Sequence, residues 1–302
     1  MRVLIAGASG LIGTPLVAEL GQAGHEVRRL VRRSARGSGW RGDGARDARF
    51  RWDPPAGRIE DGAFDGVDAV INLGGYSIGM RWSAARKQML IDSRVEPTDV
   101  LAEAVAEHRV PTLVNASAVG YYGDTGDTVT DESSAPGTGF LAGLCERWEA
   151  ATAPAARAGA RVAIVRTGLV LARAGGFLGP LKPLFRLGLG GRIGDGHQFM
   201  PWISLRDEVA AIRFVAEHPT LSGPVNLCAP EPATNAEFTR ALARVAHRPA
   251  PVRVPAMVLR AVLGDAADEL ALVSARVVPG VLTEAGFSFS DTELDRALAA
   301  AW

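Results

Sequence analysis

Short apolar runs alternate with longer amphipathic stretches through the first half of the chain, and that rhythm predicts its elements. Val3–Ala6 is apolar throughout and too short for a helix, so it reads as a buried strand. Leu16, Val17 and Leu20 then recur at helical spacing up to Gly21 and Gly24. A second strand is expected over 26–33, then a polar surface loop over 34–49 and a short strand at 50–52 that stops at Asp53-Pro54-Pro55. Residues 68–75 form a clear buried strand ending in glycines. The pattern over 82–108 is helical and broken near Pro97. A strand over 110–117, a helix from about 140 to 158 and a strand over 161–167 follow.

Strands separated by helices imply an α/β fold, a doubly wound parallel sheet of the Rossmann type. Beyond Gly168 the rhythm changes. Glycine and proline crowd 175–196, and 199–204 looks extended. Val225–Leu227 reads as a short strand, 235–246 as a helix capped by Thr234, and 249–255 as a Pro-rich connection. Helices are expected near 257–263 and 294–301. The expectation is a dinucleotide-binding domain over 1–168 and a smaller substrate-side lobe over 169–302. Part of 198–230 is expected to return to the first domain, and 249–302 to form a C-terminal helical segment, with the site in the crevice between the two lobes.

Three glycines spaced three apart, Gly7, Gly10 and Gly13, join the first strand to the first helix. Strand, glycine turn and helix together bring backbone N–H groups and a helix N-terminus up to a pyrophosphate. Gly7 makes the tight turn, Gly10 admits the phosphates, and Gly13 lets helix and strand pack closely. The second strand ends in Arg32 and Arg33, with no acid from Val27 to Ser34. An acid there would bind the ribose 2′-hydroxyl of NAD, whereas planar guanidinium groups suit the 2′-phosphate, so NADP(H) is favoured over NAD(H). The Gly74-Gly75 pair marks a second close backbone approach.

Bulk properties narrow the classes. The 302 residues are 47% hydrophobic and 22% charged, a globular balance with a sizeable core. A formal net charge of zero gives no footprint for nucleic acid or an acidic membrane. No apolar run approaches the roughly 18 residues of a membrane span, so the cytoplasm is the expected compartment. Cys145 and Cys228, the only cysteines, stand in neither a metal nor a redox spacing and read as buried free thiols.

Longer motifs carry a resemblance. They are Gly7-Ala8-Ser9-Gly10-Leu11-Ile12-Gly13, Asn72-Leu73-Gly74-Gly75, Arg81-Trp82, Lys87, Ser93-Arg94 and Ser117-Ala118-Val119-Gly120-Tyr121-Tyr122-Gly123. Further along come Arg166-Thr167-Gly168, Phe185 to Gly191, Pro201-Trp202-Ile203 and Ser222 to Leu227. Together they resemble an extended or atypical short-chain dehydrogenase/reductase of the NAD-dependent epimerase/dehydratase kind. The resemblance is closer still to a subfamily with a C-terminal domain of unknown function. It implies cofactor contacts from Gly7, Ser9, Gly10, Leu11, Ile12, Gly13, Arg32, Arg33, Leu73, Gly74, Gly75 and Ser117. Three positions depart from it: Tyr76 replaces a frequent glutamate, and Ser204 and Arg206 replace a usual histidine and aspartate.

Such enzymes generally use a tyrosine whose pKa is lowered by a lysine one helical turn later. This chain has three tyrosines, Tyr76, Tyr121 and Tyr122, and four residues on from them lie Met80, Thr125 and Gly126. Aligning the expected helix on Glu149 puts Leu141 and Cys145 where the pair would be. Ser117 matches the family's serine position, either bonding a substrate oxygen or only capping a turn. Tyr121 and Tyr122 are the remaining catalytic candidates, as hydrogen-bond donors rather than bases, since an unassisted phenol has a pKa near ~10; core packing is the alternative for either ring.

Tyr76, Arg81, Lys87, Arg94 and His197 are candidates for binding a small substrate, with Arg81 and Arg94 suited to a phosphate or carboxylate. Solvated surface roles are the alternatives for the cations. A lone histidine supports no metal site. Asp207 and Glu208 read as acids that start a helix. Two functional readings follow: an NADP(H)-dependent oxidoreductase or epimerase-like enzyme, and a non-catalytic NADP(H)-binding sensor or scaffold. A polar cleft favours the first; an apolar cleft with exposed apolar surface elsewhere favours the second.

Overall fold

The computed structural model describes residues 1–32 and 47–302. Arg33 and the bulk of the expected 34–49 loop lie outside the described residues. Eight strands form the main sheet: β1 (Arg2–Ala6), β2 (Glu26–Arg32), β3 (Asp47–Asp53), β4 (Arg58–Ile59), β5 (Ala69–Asn72), β6 (Thr112–Ala118), β7 (Arg161–Thr167) and β8 (Gly223–Leu227). Their spatial order is β8-β7-β6-β5-β1-β2-β3-β4. Every pairing is parallel except that of β3 with β4. The order reverses beside β1, so the crevice at a doubly wound sheet's switch point opens at the glycine turn.

Apolar runs rather than alternation mark the central strands because both faces are covered. Val3 and Ile5 pack on one side with Leu16, Leu20, Ile212 and Val215. Leu4 and Ala6 pack on the other with Val70, Leu101 and Val105. Helix α1 (Gly13–Gln22) and the helix Leu205–Glu217 cover the first face. Helix α2 (Ala84–Glu107), capped by Ser83 Oγ, covers the second.

Pro97 does not break α2. A proline inside a helix costs about 3 kcal/mol. The fully buried Leu90, Leu101 and Val105 on either side of it offset that cost through packing. The expected helix over 140–158 is two: α3 (Phe140–Ala150) and a short turn Ala153–Arg157 that restarts at Pro154. β3 begins at Asp47, three residues earlier than the apolar pattern shows, because its backbone pairs with β2 from Val27 onward.

The C-terminal part centres on Asn235–Ala246, where Thr234 and Glu237 form a capping box, packed against Leu294–Ala301. In the Pro-rich connection Val252–Val254 pairs with Gly191–Ile193 as a small ladder. Trp202–Ser204 pairs with Leu169–Leu171. Among the described residues no helix is long and apolar enough to cross a membrane.

Candidate functional site

The glycine turn is built for close backbone approach. Gly7 sits at φ +82°, and a Cβ there would lie 2.8 Å from the Leu73 carbonyl. A Cβ on Gly13 would lie 2.1 Å from the Gly7 oxygen. Gly10 N–H donates to that same oxygen at 3.0 Å and closes the turn. Ser9, Gly10 and Leu11 remain exposed above it. Helix α1 starts without a side-chain cap and without an acid in its first turn, so no negative group competes there with a phosphate. This turn fits the pyrophosphate of a dinucleotide.

A buried polar network holds the neighbouring loop. Asn72 Nδ2 donates to Thr98 Oγ1 at 2.9 Å and to Asn115 Oδ1 at 2.8 Å. Trp148 Nε1 also donates to Thr98 Oγ1, and Asn72 Oδ1 accepts from Gly74 N–H. β5, β6, α2 and α3 are thereby tied to the Leu73-Gly74-Gly75 backbone. At the end of β2 the Arg32 guanidinium lies 5.5 Å from the centre of the Tyr76 ring. Both line a hollow of about 570 Å³ with Trp52 and Pro97, in the position expected for an adenosine end.

A second cavity, of about 290 Å³, opens at the carboxyl ends of β6 and β7. Leu141, Leu144, Phe177, Met200 and Leu270 make most of its wall apolar, and Leu141 and Cys145 line it where the tyrosine and lysine of related enzymes are expected. The cavity adjoins the turn at two points. Phe177 follows Gly176, whose backbone lies against the Leu11 side chain, and Arg94 lies against Gly75 while lining the cavity. Arg94 donates to the Leu90 and Tyr76 carbonyls, stacks 5.1 Å from the Trp148 ring and has no carboxylate partner among the described residues. Burial pulls its pKa below the usual guanidinium value.

Two of the three catalytic candidates are occupied internally. Ser117 is buried, and its Oγ donates to Glu149 Oε1 at 2.6 Å, so it offers no hydroxyl to a ligand. Glu149 binds Arg166 in bidentate fashion. Arg166 Nη1 donates to the Tyr122 hydroxyl, which in turn donates to Asn226 Oδ1. Burial pushes the Tyr122 phenol up to about 12, with the Arg166 bond pulling the other way. Tyr122 is a core residue with a satisfied hydroxyl. Tyr121 is half-buried, its ring 3.4 Å from the Arg166 guanidinium carbon.

Residues 3–228 match the NAD-dependent epimerase/dehydratase family, and residues 254–301 match a domain of unknown function. The chain belongs to that epimerase/dehydratase family. An epimerase family protein of Mycobacterium bovis is 51% identical to it, covering 98% of this chain and 96% of the relative. The crystal structure of human epimerase family protein SDR39U1 with NADPH superposes with a TM-score of 0.84 at 32% identity, covering 100% of this chain and 99% of that one. A nucleoside-diphosphate sugar epimerase from Corynebacterium glutamicum gives a TM-score of 0.80 at 36% identity, covering 100% of this chain and 58% of that one.

In this family member the remaining substrate candidates separate. Arg94 and Tyr76 sit at the two hollows. Arg81 instead donates to the Ala261 carbonyl. Lys87 pairs with Asp265 at 3.1 Å over the Trp82 and Phe140 rings. Arg81 fastens the approach to α2, and Lys87 fastens α2 itself, to the C-terminal segment; neither lines either hollow. His197 is exposed beyond the Gly194-Asp195-Gly196 turn, where Asp195 Oδ1 accepts its N–H, and it does not line the cavity.

The pairing of Thr167 with Glu208 went unread in the sequence. Thr167 lines the cavity, and its Oγ1 donates to Glu208 Oε1 at 2.8 Å. Glu208 stands in the first turn of its helix, as expected, and is fully buried there. The available signal was periodicity: Glu208 precedes Ile212 and Val215 on one apolar stripe of its helix.

Proposed function

We propose that this chain binds NADP(H) and exchanges a hydride with a small, largely apolar carbonyl or alcohol. What carries the reading is the sharing of Arg94 between the Gly74-Gly75 loop and an apolar cavity at the ends of β6 and β7. Arg32 and Tyr76 would hold the adenosine end of a dinucleotide seated on the glycine turn, and that cavity would receive its nicotinamide end. The phosphorylated coenzyme is favoured because Arg32 ends β2 and no acid precedes it on that strand after Glu26. The human relative solved with NADPH supports the same choice.

The dinucleotide supplies the hydride; the chain's own residues supply the rest. Gly7, Gly10 and Gly13 fit the backbone to the diphosphate. Leu141, Phe177 and Met200 keep water from the reacting carbon, and Arg94 leaves one charged position for an anionic substituent. A volume of about 290 Å³ suits a compact substrate rather than a nucleotide sugar.

A second reading, a non-catalytic NADP(H) sensor, draws on the largely apolar cleft and on exposed apolar side chains such as Leu187, Leu189, Met257 and Val262. Incubating the protein with NADPH and a panel of compact ketones and aldehydes separates the two. Consumption of NADPH with formation of the matching alcohol supports the enzyme. Tight NADPH binding with no alcohol from any panel member supports the sensor.

A further inference from the structure

Glu208 is completely buried and yet only half satisfied. Its Oε1 accepts from Thr167 Oγ1 at 2.8 Å, and its Oε2 has no hydrogen-bond partner. No cation pairs with it among the described residues. An ionised carboxylate in such a place would cost several kcal/mol, so the neutral acid is the resident form. Thr167 bonds this acid and is also one of the residues lining the cavity, with Ala118, Gly168 and Cys145.

We propose that Thr167 is the proton donor to the reacting oxygen in the cleft and that Glu208 refills it from below. This rests on the proposed NADP(H) chemistry and provides the acid that Leu141 and Cys145 cannot. A threonine hydroxyl has one proton and two acceptor lone pairs. With the proton of the neutral acid on Oε1, the Thr167 hydroxyl turns from donating to Glu208 to accepting from it, and it then takes that proton while giving its own to an oxygen in the cleft. As the hydride forms the new C–H bond, the carbonyl π pair moves to oxygen and that oxygen takes the Thr167 proton. Thr167 takes the Glu208 proton, and the carboxylate left behind regains one from solvent after the alcohol departs. One hydride and one proton are added in all.

The groups around Glu208 leave it free to act. Arg166, beside Thr167, is engaged by Glu149 and Tyr122. Cys228 is held as a thiol by its own burial. Both oxygens of Asp207 accept backbone N–H groups, from Ser290 and Asp291. Glu132 accepts from the backbone of Asn226 and Val281. Burial raises the Glu208 pKa to about 8, against the pull of the Thr167 bond, within reach of neutral pH for a proton donor.

Infrared spectroscopy of the full chain tests this. The protonated carboxyl band is assigned by its loss in Glu208→Gln, or by its displacement in Glu208→Asp should the first variant not fold. Its hydrogen–deuterium exchange is then timed after mixing into heavy water. The proposal expects the band at neutral pH and prompt exchange through Thr167. In Thr167→Val exchange slows by on the order of tenfold or more, since it then waits on local opening. Thr167→Ser restores the prompt rate. Absence of a protonated band at neutral pH, or equal rates in wild type and Thr167→Val, overturns the proposal. NADPH binding by the wild-type protein is read separately: its loss would remove the proposed coenzyme role while leaving the proton path standing.

Discussion

Glu149 grips the Arg166 guanidinium with both carboxylate oxygens, at 2.9 Å from Nε and 2.8 Å from Nη2. The pair is nearly sealed from water, and Arg166 in turn orients Tyr122 and packs against Tyr121. Removing one partner strands a buried charge, which costs about 3–5 kcal/mol. Glu149→Ala should lose that much stability in urea denaturation. Ser117→Ala, which removes one bond to the same carboxylate, should lose about 1.5–3 kcal/mol.

The glycine turn admits no side chain. Gly13→Ala would put a methyl 2.1 Å from the Gly7 oxygen, a contact only backbone movement can relieve. Gly7→Ala adds a positive φ to a 2.8 Å contact. Strain of this kind costs about 1–3 kcal/mol. Both variants should melt at lower temperature and lose NADPH affinity together. Gly21→Ala, inside α1 where a Cβ meets nothing within 4 Å, should leave NADPH affinity unchanged and raise stability by about 0.5–1 kcal/mol.

Stability should fall with rising pH because of Glu208. Its pKa in the folded chain is raised by burial from 4.5 to about 8. Between those values the folded chain keeps a proton that the unfolded chain has released, so deprotonation favours unfolding. The contribution is complete below the lower value and is lost as pH rises toward the upper one, at a limiting slope of about 1.4 kcal/mol per pH unit. Glu208→Gln should flatten this slope relative to wild type in denaturant titrations across that range.

Cys145 lines the cavity as an unreactive thiol. Burial, with the nearby Glu149 charge adding to it, pushes its pKa up to about 11. Iodoacetamide at neutral pH should leave Cys145 unmodified in the native protein and alkylate it once the chain is unfolded, as read by mass spectrometry.

The parts of this molecule that local order determines were legible in its sequence. Val3–Ala6, the three glycines and the spacing of Leu16 and Leu20 announce a strand, turn and helix whatever surrounds them. Thr234 and Glu237 announce the start of their helix in the same way. Pro97 misleads because the penalty is local while the compensation from Leu90 and Leu101 is tertiary. Which of their two alternative roles Ser117 and Tyr122 take was not legible for a related reason. Glu149 and Arg166 reach them only once α3, β6 and β7 have packed, and nothing in the linear order shows which hydroxyls such a cluster will consume.

The coenzyme claim is tested most directly by fluorescence titration of NADPH and NADH into wild-type protein and Arg32→Ala. The account predicts tighter binding of NADPH than of NADH by wild type. In Arg32→Ala most of that preference should vanish, with NADH affinity nearly unchanged, since this guanidinium is the group proposed to hold the 2′-phosphate that NADH lacks. Equal affinities in wild type, or a preference that survives in Arg32→Ala, would contradict it.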